Sequence, residues 1–542
     1  MSSVAVSAPG AAVPARAPTN KWLVTLSVTF GTLMGAIDSS IVNVAMPQLR
    51  SSVGATLQEI TWTTTGFALA TVMVMPLTAF FGRMFGQKRV YLFCLALFVV
   101  GSFLCGLAWN LPSLVLFRAI QGFGAGALQP TEQAILRQTF PPKEQGMAMA
   151  LFSMAVMVGP AIGPTLGGYI VDNFHWSWIF FINVPVGVLG FFMVARFVEE
   201  PADLLATNRA EAEKQRKNLD WIGIVLLCVG LAALQYLLEE GQSHDWFEST
   251  EIVICALLSG ICLVAFVIRE LTAVAPVVNL RLFKDSVFTS GTLLSALMFS
   301  ILIASMFLLP MFMQELLGFT ATQSGLALMP RTLVMLVMMP IIGRVYTKLP
   351  PQVFIAAGLS LTGLGVFQLS HLNLNSGTSN IIGAIVLQGL GFSMMLVPLS
   401  TVALSRVPRH RMPDATGLSS LIRQIGGSIG VAVFVSLLSR YGTQAKAALA
   451  VHMTAERPEV MTRLAQLRGG MMARGMDSAS AQETALRMLS GITARQSMVL
   501  AFDKLFVLAA LLFVVVMPLI LFLKAPKLND GPHEPQHIDV EI

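Results

Sequence analysis

Asp38, Arg118, Glu132, Arg331 and Arg423 each interrupt a long apolar run. Ionisable groups in such runs carry protons, pair with one another or hold a substrate, because desolvating them is costly. Arg118, Gln121, Gly122, Ala125, Gln129 and Glu132 recur at steps of three or four residues, so a helix places them on one face. At 1.5 Å per residue that polar stripe is about 21 Å long, and it must face protein or water rather than lipid. Asp38 shares a face of the first apolar run with Gly31, Gly35, Val42 and Ala45. Proton exchange and a packing ion pair to Arg118 both suit Asp38, and the same two roles are open for Glu132. Arg331 shares a face with Met335 and Met338, as a cavity-lining residue would, whereas Arg423 opens a small-residue face through Gly426, Gly427 and Gly430 and suits structural pairing. Gln121, Gln129, Arg331, Met335 and Arg423 are the candidate cavity residues.

Other chemistries find little support. The seven histidines are scattered without metal-ligand spacing, and the five cysteines (Cys94, Cys105, Cys228, Cys255, Cys262) all lie in apolar runs with no CxxC. Gly122-Phe123-Gly124-Ala125-Gly126 has the glycines of a nucleotide loop but no preceding strand, and no Walker Lys-Ser/Thr pattern occurs. The expectation is a protein with no catalytic residue, metal or cofactor, so that any energy source is an ion gradient. The basic residues form no stripe with interleaved aromatics, which argues against nucleic acid as a partner.

The elements that position these residues are membrane helices. The chain has 542 residues, 55% of them hydrophobic and 12% charged, against about a quarter charged in a globular domain. Its apolar runs are long enough for helices and too long for barrel strands. Fourteen spans are predicted, near 22–46, 60–81, 90–109, 111–135, 146–171, 177–198, 219–238, 250–268, 287–313, 323–346, 353–370, 380–404, 417–440 and 500–523. Alternate loops carry the basic residues, among them Arg83, Lys88 and Arg89, then Arg137 and Lys143, then Arg209 to Lys217, then Arg406, Arg409 and Arg411, while the opposite short loops hold almost only Arg50. The positive-inside rule then places both termini in the cytoplasm of a multi-pass inner-membrane protein.

One span has unusual texture. Gly159, Gly163 and Gly167 recur every four residues, a bare ridge for close approach of another backbone, with Gly168 beside it. Pro160 and Pro164 lie in the same run, which is tolerated within a bundle and predicts a bend.

An internal repeat is visible. Gln121-Gly122-Phe123-Gly124, followed by Pro130, is echoed by Gln388-Gly389-Leu390-Gly391, followed by Pro398; Pro76…Gly82-Arg83 is echoed by Pro340…Gly343-Arg344. Spans 1–6 thus pair with spans 9–14, and Ile385 stands where symmetry would put a second Arg118. The predicted organisation is an N-terminal tail (1–20), a six-helix half (21–198), a loop (199–218), two inserted helices (219–268), a second six-helix half (269–523) and a tail (524–542). Such paired halves enclosing a midplane site are a transporter architecture. The long segment 441–499, with Arg457, Arg463, Arg468, Arg474 and Arg487 among Ala, Leu and Met, is expected outside the membrane as short amphipathic helices.

At these residues the sequence resembles the major facilitator superfamily, specifically its fourteen-span drug:proton antiporter branch of the EmrB/QacA type, over roughly residues 20–525. Ala36-Ile37-Asp38-Ser39-Ser40 through Pro47 resembles the branch's first-span motif. Arg118-Ala119-Ile120-Gln121-Gly122 is similar to its fourth-span motif, Gly159-Pro160 through Gly167-Gly168 to its antiporter motif, and Phe180-Phe181-Ile182-Asn183-Val184-Pro185 is similarly typical. The resemblance implies an all-α membrane protein with the major-facilitator fold and 14 transmembrane helices. It implies proton-coupled efflux of small amphipathic or cationic drugs by alternating access and associates Arg118 with proton transfer; Asp38 and Glu132 join it as proton-coupling candidates because they are ionisable groups within the spans. It also implies a periplasmic adaptor of the EmrA type and an outer-membrane channel as partners. Transport of a metabolite or siderophore is the alternative within this fold, and a non-transporting receptor is the alternative outside it. In the loop after the second span, Gly86, Lys88 and Arg89 fit the superfamily's gating motif, but Arg83 stands where many members carry Asp.

Overall fold

The computed structural model describes residues 20–200, 212–213, 219–273, 275–346 and 348–523. The tail expected at 1–20, apart from Asn20, the tail expected at 524–542, and all but a few residues of the 199–218 loop lie outside the described residues. Those described are helical, with no strand among them.

The first half comprises α1 (Lys21–Val53), the one-turn α2 (Leu57–Ile60), α3 (Trp62–Val74), α4 (Thr78–Phe85), α5 (Gln87–Gly106), α6 (Leu111–Thr139), α7 (Gln145–Asn173), the one-turn α8 (Trp178–Phe181) and α9 (Asn183–Phe197). Helices α10 (Trp221–Glu240) and α11 (Thr250–Thr272) are the insert. The second half comprises α12 (Ser286–Met311), α13 (Ala321–Val345), α14 (Pro351–Leu369), α15 (Thr378–Val402), α16 (Met412–Ala450), α17 (Pro458–Met472) and α18 (Ser478–Val516). Among the described residues twelve helices are long and apolar enough to cross a membrane, and thirteen if α3 and α4, bent by 55° at their junction, form one span. Pro76 lies at that junction, where its missing N–H cannot continue the ladder.

The repeat is structural. In the first half α1 packs on α7, and α6 packs on α3 and α5; in the second half α12 packs on α16, and α15 packs on α13 and α14. Glycines make the same approaches in both. A Cβ on Gly122 would meet the Phe67 carbonyl, and one on Gly389 the Arg331 carbonyl. A Cβ on Gly101 would meet the Gln121 backbone, and one on Gly365 the Gln388 backbone. One apolar core forms around Tyr91, Phe98 and Phe152 in the first half, and another around Phe312, Phe392 and Phe502 in the second half, which Ala150 and Met157 of α7 join.

The glycine ridge of α7 is the seam with α1. A Cβ on Gly159 would overlap the Ala36 carbonyl, one on Gly163 would meet Ser40, and one on Gly167 would meet Ile41; Gly168 faces open space and belongs to no seam. The first turns of α7 reach the other half, where Gly146 and Ala150 lie against Gly343 of α13.

The insert bridges the halves. Glu240 of α10 accepts from Thr61 and Thr65 at the start of α3, at 3.3 and 3.2 Å, while Gln235 donates to Ser428 of α16 at 3.0 Å. Its other face, including Ile222, Val225 and Val229, is exposed, as a lipid-facing surface would be.

The 441–499 segment differs from expectation. It forms one separate short helix, α17, and otherwise continues the flanking spans, so that α16 and α18 each run for 39 residues. Thr443-Gln444-Ala445-Lys446-Ala447-Ala448-Leu449-Ala450 contains no helix breaker, so nothing stops α16 where its apolar stretch ends. Arg457, Arg463, Arg468, Arg474 and Arg487 are exposed.

Candidate functional site

The site is centred on α6. Asn110 caps that helix reciprocally with Ser113, and two turns on Arg118 is 1% exposed. Its Nη1 donates to Asp38 Oδ2 of α1 at 2.5 Å and to Gln121 Oε1 at 2.8 Å, and its Nε donates to the Thr63 carbonyl of α3 at 3.0 Å. The guanidinium also lies over the Phe67 ring, 4.1 Å from its centroid, a cation–π contact strengthened by burial. Asp38 has no solvent exposure. Its second oxygen accepts from Gln121 Nε2 at 2.9 Å and Asn183 Nδ2 of α9 at 3.0 Å. Asn183 also donates to Ser102 of α5 at 3.1 Å. One carboxylate therefore holds α1, α6 and α9 together, and its cation adds α3. Both oxygens of Asp38, and Nε and Nη1 of Arg118, have hydrogen-bond partners, as a buried pair requires.

Glu132, on the same face of α6, is fully buried and differently placed. Thr29 Oγ1 donates to Oε1 at 3.0 Å, Oε2 lacks a partner, and no cation pairs with it among the described residues.

The candidate cavity residues fall in both halves. Gln121 belongs to the Asp38 cluster, and Gln129 is half-buried farther along α6. Arg331 and Met335 are each 1% exposed in the second half, where Arg331 Nη1 reaches Gln388 Oε1 at 3.5 Å. Arg423 pairs with no carboxylate among the described residues; it donates to Ser420 Oγ at 3.2 Å and lies over the Phe299 ring at 5.2 Å. The structural pairing expected of it is thus with a hydroxyl and a ring.

At the end of the bundle that carries the basic loops, the halves are tied together. Arg83, in the last turn of α4, pairs with Asp414, in the first turn of α16, at 2.5 Å, and donates to the Val277 carbonyl at 3.2 Å. Each charge sits at the helix end that favours it, so the carboxylate absent from position 83 is supplied by the opposite half. Arg137 donates to the Thr401 carbonyl at 2.6 Å, and Gln138 exchanges two backbone-directed bonds with Arg409. Gly86, with φ of 91°, makes the turn into α5; Lys88 binds Glu200 and the Ala195 carbonyl, and Arg89 is exposed.

Residue spacing had not marked Thr63, Asn183, Gln388 or Asp414 for these roles. Asn183 was visible within the Phe180–Pro185 motif and Gln388 within the repeat, yet no periodicity assigns them a partner. Asp414 follows Arg409-His410-Arg411 and resembles an ordinary loop acid.

The family model described as Major Facilitator Superfamily matches residues 28–431. The chain belongs to the Major Facilitator Superfamily. It is 37% identical over 413 residues to "Multidrug export protein EmrB" of Haemophilus influenzae, covering 76% of this chain and 79% of that protein. It is 32% identical over 508 residues to "Fatty acid resistance protein FarB" of Neisseria gonorrhoeae, covering 94% and 97%. Among solved structures, the superfamily's proton:xylose symporter XylE aligns with a TM-score of 0.59 at 13% identity, covering 91% of this chain and 95% of that one, which shows the fold alone. As a member of this superfamily the chain is a multi-pass membrane transporter and not an enzyme.

Proposed function

We propose that this transporter exports amphipathic small molecules, drug-like compounds among them, in exchange for protons by alternating access between its two halves. The observation that carries the proposal is the buried Asp38–Arg118–Gln121–Asn183 cluster with Glu132 farther along the same helix face. Ionisable groups at this depth are a large cost in a scaffold and the working parts of a proton-coupled carrier. The relatives named for multidrug export and fatty acid resistance support a broad amphipathic substrate range.

In this reading α7 is a further crossing, giving fourteen spans, and the basic-loop end is cytoplasmic, with both termini, by the positive-inside rule. The Arg83–Asp414 and Arg137–Thr401 contacts then make this conformation closed towards the cytoplasm. Helix α7 is the mechanical link. Its start touches α13, and its glycine ridge grips α1, the helix that bears Asp38. Rocking of the halves therefore reaches the ion pair through a seam with no side chain to yield. The projecting helices of 441–499 lie on the periplasmic side in this orientation, where an adaptor leading to an outer-membrane channel would dock.

The test is substrate-induced proton movement in reconstituted vesicles carrying a pH dye. Adding a lipophilic cation such as tetraphenylphosphonium should trigger proton movement with the wild type and none with Asp38→Asn. Wild-type protein that moves tetraphenylphosphonium without moving protons would sink the coupling.

A further inference from the structure

The two halves treat one glutamine differently. Gln121 has both ends of its amide engaged: Oε1 accepts from Arg118 and Nε2 donates to Asp38. Gln388 is its counterpart by sequence repeat and by glycine packing. Its Oε1 accepts from Ser305 at 3.3 Å and from Arg331 at 3.5 Å, but its Nε2 has no acceptor. Arg331 Nε has none either. The sequence offset that superposes Gln121 on Gln388 puts Ser305 in the place of Asp38 and Ile385 in the place of Arg118. The arginine has moved to α13, where Arg331 occupies the position of Phe67, as the shared backbone contact with Gly389 and Gly122 shows. The second half has therefore kept the guanidinium and the amide and lost the carboxylate.

Both orphan donors are almost completely buried, Arg331 at 1% and Gln388 at 0% exposure, and no acidic side chain pairs with Arg331 among the described residues. Buried polar groups without partners are rare, and a buried guanidinium without an anion is the costliest kind. Met335 and Met338 lie one and two turns along the same face of α13, an adaptable apolar wall beside the charge.

We infer that Arg331 and Gln388 form a subsite for the carboxylate of a lipophilic acid, which takes the place that Asp38 fills in the other half. The carboxylate accepts from Arg331 and from Gln388 Nε2, and the apolar tail lies along the methionine face. The site is sealed in this conformation and receives its ligand when the halves part, so the inference rests on the exporter reading above. It narrows the substrate class of that reading, from amphipathic small molecules in general to lipophilic anions at this subsite.

The experiment uses the full chain in lipid nanodiscs, with decanoate and decanol as probes of equal chain length. Wild type should bind decanoate in preference to decanol. Arg331→Gln should lose that preference, with decanoate affinity falling roughly tenfold or more, the range for a hydrogen bond to a charged group. Ser305→Asp guards against misfolding as the explanation. It returns the missing carboxylate, so it should raise the melting temperature and abolish decanoate binding. Equal decanoate affinity in wild type and Arg331→Gln, or undiminished decanoate binding in Ser305→Asp, overturns the subsite. The exporter reading is tested separately, by wild-type vesicles that do or do not move tetraphenylphosphonium against a proton gradient.

Discussion

Asp38 and Arg118 meet at 2.5 Å with side-chain exposures of 0% and 1%. Removing one partner strands the other in an apolar bundle, which costs about 3–5 kcal/mol. Asp38→Asn and Arg118→Gln should each lower thermal stability in nanodiscs, and the double variant should lose less than the sum, since neither charge is then stranded. Arg118→Lys should also transport poorly, because an ammonium cannot reach Asp38, Gln121 and the Thr63 carbonyl from one planar fork. Additive losses in the double variant would show that the contact contributes nothing as a pair.

The seam between α1 and α7 gives a sharp contrast within one motif. Gly159→Val places a side chain on the Ala36 carbonyl and should abolish folded yield in detergent. Gly168→Ala meets nothing within 4 Å and should be neutral or stabilising by up to about 1 kcal/mol through helix propensity. Size-exclusion profiles and melting curves of the two variants test this. A well-folded Gly159→Val protein would mean that α7 can move off α1 at little cost.

The contrast also shows what the sequence makes legible. Four-residue glycine spacing announces a close approach, and the structure supplies Ala36, Ser40 and Ile41 as what is approached. Gly168 adjoins that ridge in the sequence, yet a Cβ there would meet nothing within 4 Å. Asp38 and Arg118 were identifiable as deep charges, since hydropathy alone singles them out. Their pairing with each other was one of two options until α1 and α6 were seen side by side. Asn183 and Asp414 were invisible as partners, because what they touch lies 145 and 331 residues away in the chain. The 441–499 segment misled for a different reason: hydropathy marks where a helix leaves lipid, not where it stops.

Arg83 and Asp414 latch the basic-loop end. Asp414→Asn should weaken the closed state and lengthen the distance between spin labels at Arg89 and Ser405, two exposed positions on opposite halves, in a cysteine-replaced background. The charge-swapped pair Arg83→Asp with Asp414→Arg should recover part of the short-distance population, less than fully because both swapped charges face the wrong helix ends. An unchanged distance distribution in Asp414→Asn would show that the Arg137 and Arg409 contacts hold this end alone.

Asp38 and Glu132 are the two carboxyls to which the proposed proton exchange can be assigned, and their surroundings differ. Asp38 accepts three side-chain donors, one of them a guanidinium. Glu132 accepts one hydroxyl and leaves Oε2 unmatched. The first carboxyl has donors on both oxygens, whereas the second has one oxygen without a partner. Under the proton-exchange proposal, Glu132 is the proton carrier and Asp38–Arg118 is the pair whose rearrangement admits the proton. Glu132→Gln keeps the shape and the Thr29 contact but cannot ionise. It should therefore fold, exchange substrate across vesicles at equilibrium, and fail to accumulate it against a gradient. Asp38→Asn should lose both activities, because it loosens α1 from α6 and α9. Measuring exchange and gradient-driven accumulation side by side separates the two residues. Gradient-driven accumulation by Glu132→Gln at the wild-type rate would return the proton to Asp38.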